Sequence, residues 1–467
     1  MFLFVFISSF YVHLLAVPGE EIEKGRIIDN IICQGDSSQS YALYLPSEYT
    51  PEKKWPILYA LDPGARGKVP LEHFKTAAEK YNYIVAGSNN SRNGPWEPVY
   101  RAIRAVWQDT NTRLSIDLKR IYVTGFSGGS RAASIFPLII NRAVAGIIGC
   151  GAGLASGLEP VKIKPAFYHG VVGIEDFNYQ EMAILNQKFD QDKVSHRLLV
   201  FEGGHDWPPQ DCCRRVIEWM EVIAMIDNIR PADDGLIKDI FERELAEAQK
   251  LEASGQILRA ASDYEVLAST FKGWLDTKDI ETKIEHLKQS KEYERSLKVE
   301  DKQKEKETFH NHNFRRLLAQ LEKDPPSRRY LNKIFQELHL NELLNEALQK
   351  KDRNESALAV RVLFSLELES SRKGRTHLQK GNLKTAILFF EIAAKAGIKE
   401  SPRLKYSLYN MACAYALSNH KRNALKNLKL AVENGFHDVA HMEQDEDLEF
   451  IRNTPEFQKL IEDLKQK

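Results

Sequence analysis

The sequence has no excess of either charge. Its 467 residues include 65 Lys and Arg and 65 Asp and Glu, so the formal net charge is zero. A chain without a basic surplus has no electrostatic attraction to nucleic acid or to an anionic membrane surface. We therefore exclude nucleic acid as a partner and expect no stable membrane span. The length and a hydrophobic fraction of 43% predict two or three globular domains with a substantial core.

Cysteine is scarce, and its spacing matches no metal site. The five cysteines are an odd number, and the two adjacent ones do not form a Cys-x-x-Cys pair. We expect no metal centre and no cofactor, and we interpret the thiols as buried and inert. Pairing of some of them stays open, because an exported protein could form disulfides. The five are Cys33, Cys150, Cys212, Cys213 and Cys413.

The apolar N-terminus is short, and no Lys or Arg precedes it. Residues 1–16 are nearly all apolar, and small residues follow them. A membrane-spanning helix needs about 20 apolar residues, whereas a signal-peptide core is shorter. The sequence predicts a signal peptide at 1–19 and hence export to the periplasm or the medium. There are two alternatives. The segment is an uncleaved membrane anchor, or the start codon is misassigned and the protein is cytoplasmic.

Short β-rich runs alternate with helical periodicity from residue 25 to about residue 230. There are eight such runs, and helix-like segments at 71–80, 99–114 and 131–141 lie between the later ones. This alternation predicts an α/β fold with a mostly parallel sheet covered on both faces. Only "QGDSSQ" separates the first two runs, so they are expected to form an antiparallel hairpin at one edge.

The rest of the chain, after Pro231, predicts an all-α region with internal repeats. Small and bulky apolar residues recur four and three apart in two segments, with a weaker copy upstream, a spacing that predicts closely packed helix pairs. The pattern resembles the tetratricopeptide repeat, although the consensus Trp is absent. Stacked helix pairs form concave surfaces, so a protein or peptide partner is expected there. The repeated positions are Ala386, Phe390 and Ala393; Ala424, Leu428 and Ala431; and Ala248, Ala260, Tyr264 and Leu267.

These patterns divide the chain into four parts. The signal peptide at 1–19 is followed by an α/β domain at 20–230. A helical region at 231–370 contains the weak repeat, a charge-rich connector and a break at "DPPSRR" (324–329). The two clearer repeats occupy 371–467.

The segment "RIYVTGFSGGSRAA" contains the motif Gly-x-Ser-x-Gly, with Ser127 at its centre. A β-rich run precedes the motif and a helix-like segment follows it. The turn between them is so tight that side chains beside the serine would clash, and the serine is held in a strained conformation with its hydroxyl exposed. Because such turns are common, the motif alone leaves open whether Ser127 is a nucleophile or only a small residue.

Two further residues supply what a reactive serine needs. A serine hydroxyl is a weak nucleophile unless a histidine takes its proton and a carboxylate orients that histidine. His205 follows the eighth β-rich run, and Glu175 and Asp176 follow the seventh. The carboxyl ends of parallel strands form the edge where sites occur. Carboxylates of both lengths can orient a histidine, so both acids remain candidates at this point.

With these motifs in this order, residues 25–230 resemble an α/β-hydrolase, closest to the small esterases of the dienelactone hydrolase and polyhydroxybutyrate-depolymerase type. The resemblance implies a serine esterase that works through an acyl-enzyme. It implies that Ser127 is the nucleophile, that Asp176 rather than Glu175 is the acid, and that His205 is the base. It also implies that the Gly128 N–H is one donor of the oxyanion hole.

The second oxyanion donor departs from the family pattern. The loop after the third run carries "DPGA" (62–65) in place of the usual His-Gly. Because Pro63 has no N–H, the resemblance leaves Gly64 or Ala65 as the donor. Trp96 and Trp207 are candidate pocket walls, and either could equally be core packing.

The segment between the sixth and seventh runs is short, where many lipases insert a helical lid. Its shortness predicts an open, lidless cleft and a small-molecule or polymer ester as substrate. Two alternatives stay open. The same triad could cleave a peptide or thioester, or the chain could be a non-catalytic protein-interaction scaffold.

Overall fold

The computed structural model describes residues 22–159, 167–323, 331–349, 351–398, 401 and 403–466. The predicted signal peptide at 1–19 and the predicted break at 324–329 lie outside these residues. No helix within the described part of the chain is both long and apolar enough to cross a membrane.

All eight β-rich runs are strands of one sheet, in the order β1-β2-β4-β3-β5-β6-β7-β8. β1 pairs antiparallel with β2, and β2 with β4, while every other neighbouring pair is parallel. The predicted fold class and the edge hairpin are therefore confirmed. The strands are β1 (Ile27–Cys33), β2 (Asp36–Tyr44), β3 (Trp55–Leu61), β4 (Ile84–Ser88), β5 (Ile116–Phe126), β6 (Gly146–Cys150), β7 (Phe167–Gly173) and β8 (His196–Phe201).

Helices cover both faces of the sheet, which explains why its central strands are apolar throughout. Every residue of β3, β6 and β7 is buried, as expected for parallel strands between two helical layers. α1 and α5 pack on one face, and α2, α3 and α4 pack on the other. These helices are α1 (Lys68–Tyr81), α2 (Trp96–Arg113), α3 (Gly128–Ile139), α4 (Tyr179–Gln191) and α5 (Gln210–Ile226).

The remainder of the chain is helical, as predicted. Its elements are α6 (Asp234–Ala253), α7 (Ile257–Phe271), α8 (Lys278–Lys288), α9 (Lys291–Lys323), α10 (Leu331–Glu337), α11 (Leu340–Gln349), α12 (Arg353–Gln379), α13 (Leu383–Ala396), α14 (Leu404–Leu417), α15 (Lys421–Glu433), α16 (Val439–Gln444), a 3-10 turn (Glu446–Leu448), α17 (Glu449–Arg452) and α18 (Pro455–Lys465).

The first three of these helices share a core with the sheet. Apolar residues of α6, α7 and α8 belong to the same buried cluster as α1 and α5. Buried charges join the two parts as well, because the Glu244 carboxylate of α6 accepts hydrogen bonds from Arg197 of β8 and Arg215 of α5. The predicted boundary at residue 230 thus marks a change of secondary structure and not the end of the core.

The repeated positions lie on α7, α13 and α15, with Ala248 on α6, and each of these three helices packs against the helix before it: α7 against α6, α13 against α12, and α15 against α14. Gly374 shows why a small residue is needed there, since a Cβ at this position would lie 2.6 Å from a ring carbon of Phe390. The helix pairs are observed, while their assignment to the tetratricopeptide family stays a prediction.

All five thiols are free and buried, as the sequence interpretation expected. Burial raises the pKa of Cys33 and of Cys150 to about 12. These thiols are protonated at neutral pH and therefore unreactive.

Glu367 of α12 links the protonation of a buried carboxyl group to stability. Its side chain accepts a 2.7 Å hydrogen bond from Ser401, and its other oxygen, Oε1, has no partner among the described residues. Burial raises the pKa of Glu367 from its ordinary 4.5 to about 7. Because the folded state holds this proton more tightly than the unfolded state, the stabilisation is complete below pH 4.5 and is lost as the pH rises through 7.

We expect Glu367→Gln to weaken this pH dependence, because a glutamine keeps the acceptor for Ser401 and cannot ionise. Urea unfolding of both proteins at about pH 5 and about pH 8 measures the effect as a difference in unfolding free energy. The wild type should lose more stability than the variant over this range. Equal losses would contradict the assignment.

Candidate active site

Ser127 occupies a strained turn between β5 and α3. Its φ of 53° and ψ of −119° lie in a region that residues with a side chain rarely adopt. A Cβ at Gly129 would lie 1.9 Å from the carbonyl oxygen of Leu61, and one at Gly125 would lie 2.1 Å from the carbonyl oxygen of Gly129. Because these neighbours are backbone atoms that cannot move aside, the turn requires both glycines.

The structure brings Ser127, His205 and Asp176 into one hydrogen-bonded chain. His205 Nε2 lies 2.9 Å from Ser127 Oγ, and His205 Nδ1 lies 2.8 and 2.9 Å from the two oxygens of Asp176. With the Nδ1–H donated to Asp176, the imidazole leaves Nε2 free to accept the serine proton. The residues follow β5, β8 and β7 respectively, so three carboxyl ends of parallel strands meet at one edge.

Asp176, and not Glu175, is the acid that contacts the histidine. The Asp176 side chain is 1% exposed, and its Oδ1 also accepts the N–H of Asn178 at 2.8 Å. Glu175 is fixed differently, because its N–H donates to the carbonyl oxygen of Gly203. The described residues show no hydrogen bond between the Glu175 carboxylate and His205.

Aromatic rings enclose the histidine, and one of them comes from the helical region. The ring centroids of Phe126 and Phe177 lie 4.6 and 4.3 Å from that of His205. Phe364 of α12 stacks on Phe177 at 5.3 Å and lies 6.3 Å from His205. The His205 side chain is only 2% exposed.

On the side of His205 the site is therefore covered by the helical region, where the sequence predicted an open, lidless cleft. The cover does not come from the segment between β6 and β7, where a lipase lid would be inserted and where the prediction was made. It comes from α12, far along the chain. Part of the segment between β6 and β7, 160–166, lies outside the described residues.

In the loop across the cleft, the two residues predicted as the second oxyanion donor both make hydrogen bonds with Asp62. The Gly64 N–H donates to Asp62 Oδ1 at 2.8 Å, and the Ala65 N–H donates to the carbonyl oxygen of Asp62 at 3.1 Å. Both predicted donors are thus already used within their own turn. Gly128 differs, because it is the first residue of α3 and its N–H has no acceptor within the helix.

Asp62 also decides the position of Trp207. The fully buried Asp62 carboxylate accepts two hydrogen bonds from Arg66, at 2.9 and 3.0 Å, and one from the Trp207 indole at 2.9 Å. Trp207 is only 3% exposed. Of the two roles left open for Trp207, this burial supports core packing, because the buried carboxylate needs the indole N–H as a partner.

Asn93 lies beside the site, in the loop at 89–94 that the sequence predicts to approach it from the side, although no single residue of that loop was predicted as a site residue. Its N–H donates to the carbonyl oxygen of Pro63 at 2.9 Å, which ties the loop after β4 to the oxyanion loop. A Cβ at Gly128 would lie 1.7 Å from Asn93 Oδ1 and 3.2 Å from Nδ2, so the amide sits directly against Gly128. The available signal was the polar run "SNNSRNG", which directly follows a buried strand at the same sheet edge.

A small cavity lies beside this amide. Its volume is about 110 Å³, and Asn93, Trp96 and Gly128 are among its lining residues. Trp96 is 40% exposed and is therefore placed where the sequence predicted a pocket wall.

One group of side chains in the C-terminal helices has the ligand atoms of a metal site. Among the described residues, Cys413, Asp445 and Asp447 bring their ligand atoms within 4.8 Å of one another in the C-terminal helices. Asp445 is already bound by the Tyr409 hydroxyl at 2.7 Å and caps the 3-10 turn. Local structure accounts for this group without a metal.

Parts of the chain are similar to solved esterases and serine hydrolases. A ferulic acid esterase is 15% identical, over 42% of this chain and 98% of that chain, with a TM-score of 0.36. An S-formylglutathione hydrolase from Staphylococcus aureus is 16% identical, over 42% and 97%, with a TM-score of 0.35. A Pyrobaculum calidifontis esterase is 12% identical, over 43% and 87%, with a TM-score of 0.35. No family model matches the chain, and no curated protein matches it. Likenesses of this size say nothing about activity, which has to follow from the geometry of the site.

The choice between the two acids can be tested with an activity probe. Asp176→Asn keeps the shape of the side chain but holds His205 in the wrong tautomer, so Ser127 should react more slowly with a fluorophosphonate. We expect a fall on the order of 10⁴-fold, the effect that a misoriented histidine has in serine hydrolases.

Glu175→Gln is the matched control and should react at the wild-type rate. A slow Glu175 variant beside a normal Asp176 variant would reverse the assignment.

Proposed function

We propose that the protein is a serine hydrolase that cleaves a carboxylic ester through an acyl-enzyme. The observation that carries the proposal is the hydrogen-bonded chain from Asp176 through His205 to Ser127. A hydroxyl, an imidazole and a buried carboxylate in this order are what a serine nucleophile requires. The strained turn adds support, because it exposes the hydroxyl at the edge of the sheet.

The chemistry follows from the two nitrogens of His205. Nε2 takes the proton of Ser127 Oγ while that oxygen attacks the ester carbonyl carbon and forms a tetrahedral oxyanion. The oxyanion collapses, the bond to the leaving alkoxide breaks, and Nε2 returns the proton to it. A water then attacks the acyl-enzyme by the same steps and releases the acid. Asp176 stays ionised and keeps the Nδ1–H in place throughout.

For the oxyanion, we propose the Gly128 N–H and the side-chain amide of Asn93. Support comes from the position of the Asn93 amide, directly against the place where a Gly128 side chain would begin, and from the internal hydrogen bonds of Gly64 and Ala65. A side-chain amide can stabilise a tetrahedral oxyanion as well as a backbone N–H can. The small adjoining cavity favours short acyl groups as the first substrates to test.

Replacing Ser127 tests the proposal directly. Ser127→Ala removes the attacking oxygen, so hydrolysis of short p-nitrophenyl esters should fall by roughly 10⁶-fold in kcat. The wild type should be labelled by a fluorophosphonate, and the variant should not. Circular dichroism should show the same fold in both.

Measuring hydrolysis of a panel of amides and thioesters alongside the esters shows which type of bond the protein cleaves fastest. Full activity in the Ser127 variant would contradict the mechanism. No labelling of the wild type would instead favour a non-catalytic scaffold. Export, and a protein partner on the helix pairs, remain predictions from the sequence.

Replacing Asn93 tests the oxyanion hole separately. Asn93→Ala removes one proposed donor, and we expect kcat to fall on the order of 10²-fold with a small change in KM. Asn93→Asp has nearly the same shape and no N–H, so it should be at least as slow. A wild-type kcat in both variants would show that another group supplies the donor.

A further inference from the structure

One face of α12 lies against the loop that carries the candidate acid. Arg361 and Phe364 are three residues apart on this helix, so they project from the same face. Arg361 Nη1 donates a 2.8 Å hydrogen bond to the carbonyl oxygen of Ile174. Phe364 stacks on Phe177. The two contacts fall two residues before and one residue after Asp176.

The Arg361 guanidinium is buried and held from several sides. The residue is 3% exposed, and its Nε and Nη2 donate to Glu307 of α9 at 3.0 and 2.6 Å. The guanidinium lies 4.9 Å from the ring of Tyr179, and Gln180 donates to the same Glu307 oxygen at 3.4 Å. Burying an ion pair has a large desolvation cost, so the pair is weak evidence of a stabilising role.

The geometry of the loop gives the pair a different role. The N–H groups of Ile174 and Glu175 donate to Phe201 and Gly203, both in the strand and loop that lead to His205. In both of these hydrogen bonds the loop contributes a backbone N–H group and not a carbonyl oxygen. Arg361 holds the carbonyl of Ile174 from the helical region, and with it the start of the turn that presents Asp176.

We propose that Arg361 is a positioning residue for the active site. It fixes the loop at 174–178 so that the Asp176 carboxylate meets His205 Nδ1, and catalysis at Ser127 therefore depends on the helical region. The inference rests on the proposed function, because it assigns this contact a part in the same reaction.

The test uses the full chain with both charges of the buried pair removed. Arg361→Met alone would leave Glu307 buried without a partner and would destabilise the protein for that reason. The double variant Arg361→Met with Glu307→Leu avoids this and still removes the donor to Ile174. We expect kcat for a short ester to fall on the order of 100-fold, as a small misplacement of a catalytic group can cause, with little change in KM.

Arg353→Met is the matched control on the same helix. Arg353, which is exposed, pairs with Glu202 in the loop after β8, and among the described residues it makes no hydrogen bond or ion pair with the loop at 174–178. This variant should keep the wild-type kcat. If the double variant has the wild-type thermal unfolding midpoint and also the wild-type kcat, the proposal is overturned.

A second measurement, by proton NMR, does not depend on hydrolytic activity. The proton shared between His205 Nδ1 and Asp176 should give a far-downfield proton NMR signal in the wild type and in the Arg353 variant. The signal should broaden or vanish in the folded double variant, and its unchanged presence would overturn the positioning role. If the wild type hydrolyses no substrate, the proposed function fails, and this signal still decides whether Arg361 positions Asp176.

Discussion

The hydrogen bond between His205 and Asp176 is the contact on which the candidate site depends. It fixes one tautomer of the imidazole, and only that tautomer offers Nε2 to the Ser127 hydroxyl at 2.9 Å. The contact exists because β5, β7 and β8 are parallel and end at the same edge of the sheet. The rings of Phe126 and Phe177 then shield it from water, which strengthens an interaction between a carboxylate and an imidazole.

The helical region belongs physically to this site. Its first helices continue the core beneath the sheet, and the buried Glu244 ties α6 to β8 and α5. Further along, α12 covers His205 with Phe364 and reaches the acid loop through Arg361. The edge of the sheet that carries His205 is thus covered by a helix from a distant part of the chain. This closure limits what can approach the histidine and makes the geometry of the loop dependent on the packing of α12.

The opposite side of the site is organised around another buried carboxylate. Asp62 lies in the loop after β3, and a buried carboxylate is stable only if its oxygens are fully hydrogen-bonded. Gly64, Arg66 and Trp207 supply these bonds. As a consequence Trp207 lies in the core, and the backbone donors expected in this loop are used internally. The side chain of Asn93 lies beside Gly128 in the space that remains.

The sequence by itself determined the eight strands, the edge hairpin, the change to helices, and the chain order of Ser127, the adjacent acids Glu175 and Asp176, and His205. These features depend on local patterns. The patterns are the alternation of β-rich runs with helical segments, the helical spacing of apolar residues, and the glycines beside the serine, where a side chain would clash. Asp176 and Glu175 both follow the same strand, so only the tertiary structure decided which of them contacts His205. It also decided where Asn93, Trp207 and Phe364 lie relative to the site. Each of these depends on a contact between residues far apart in the chain, and such contacts are set by packing, which leaves no periodic signal in the sequence.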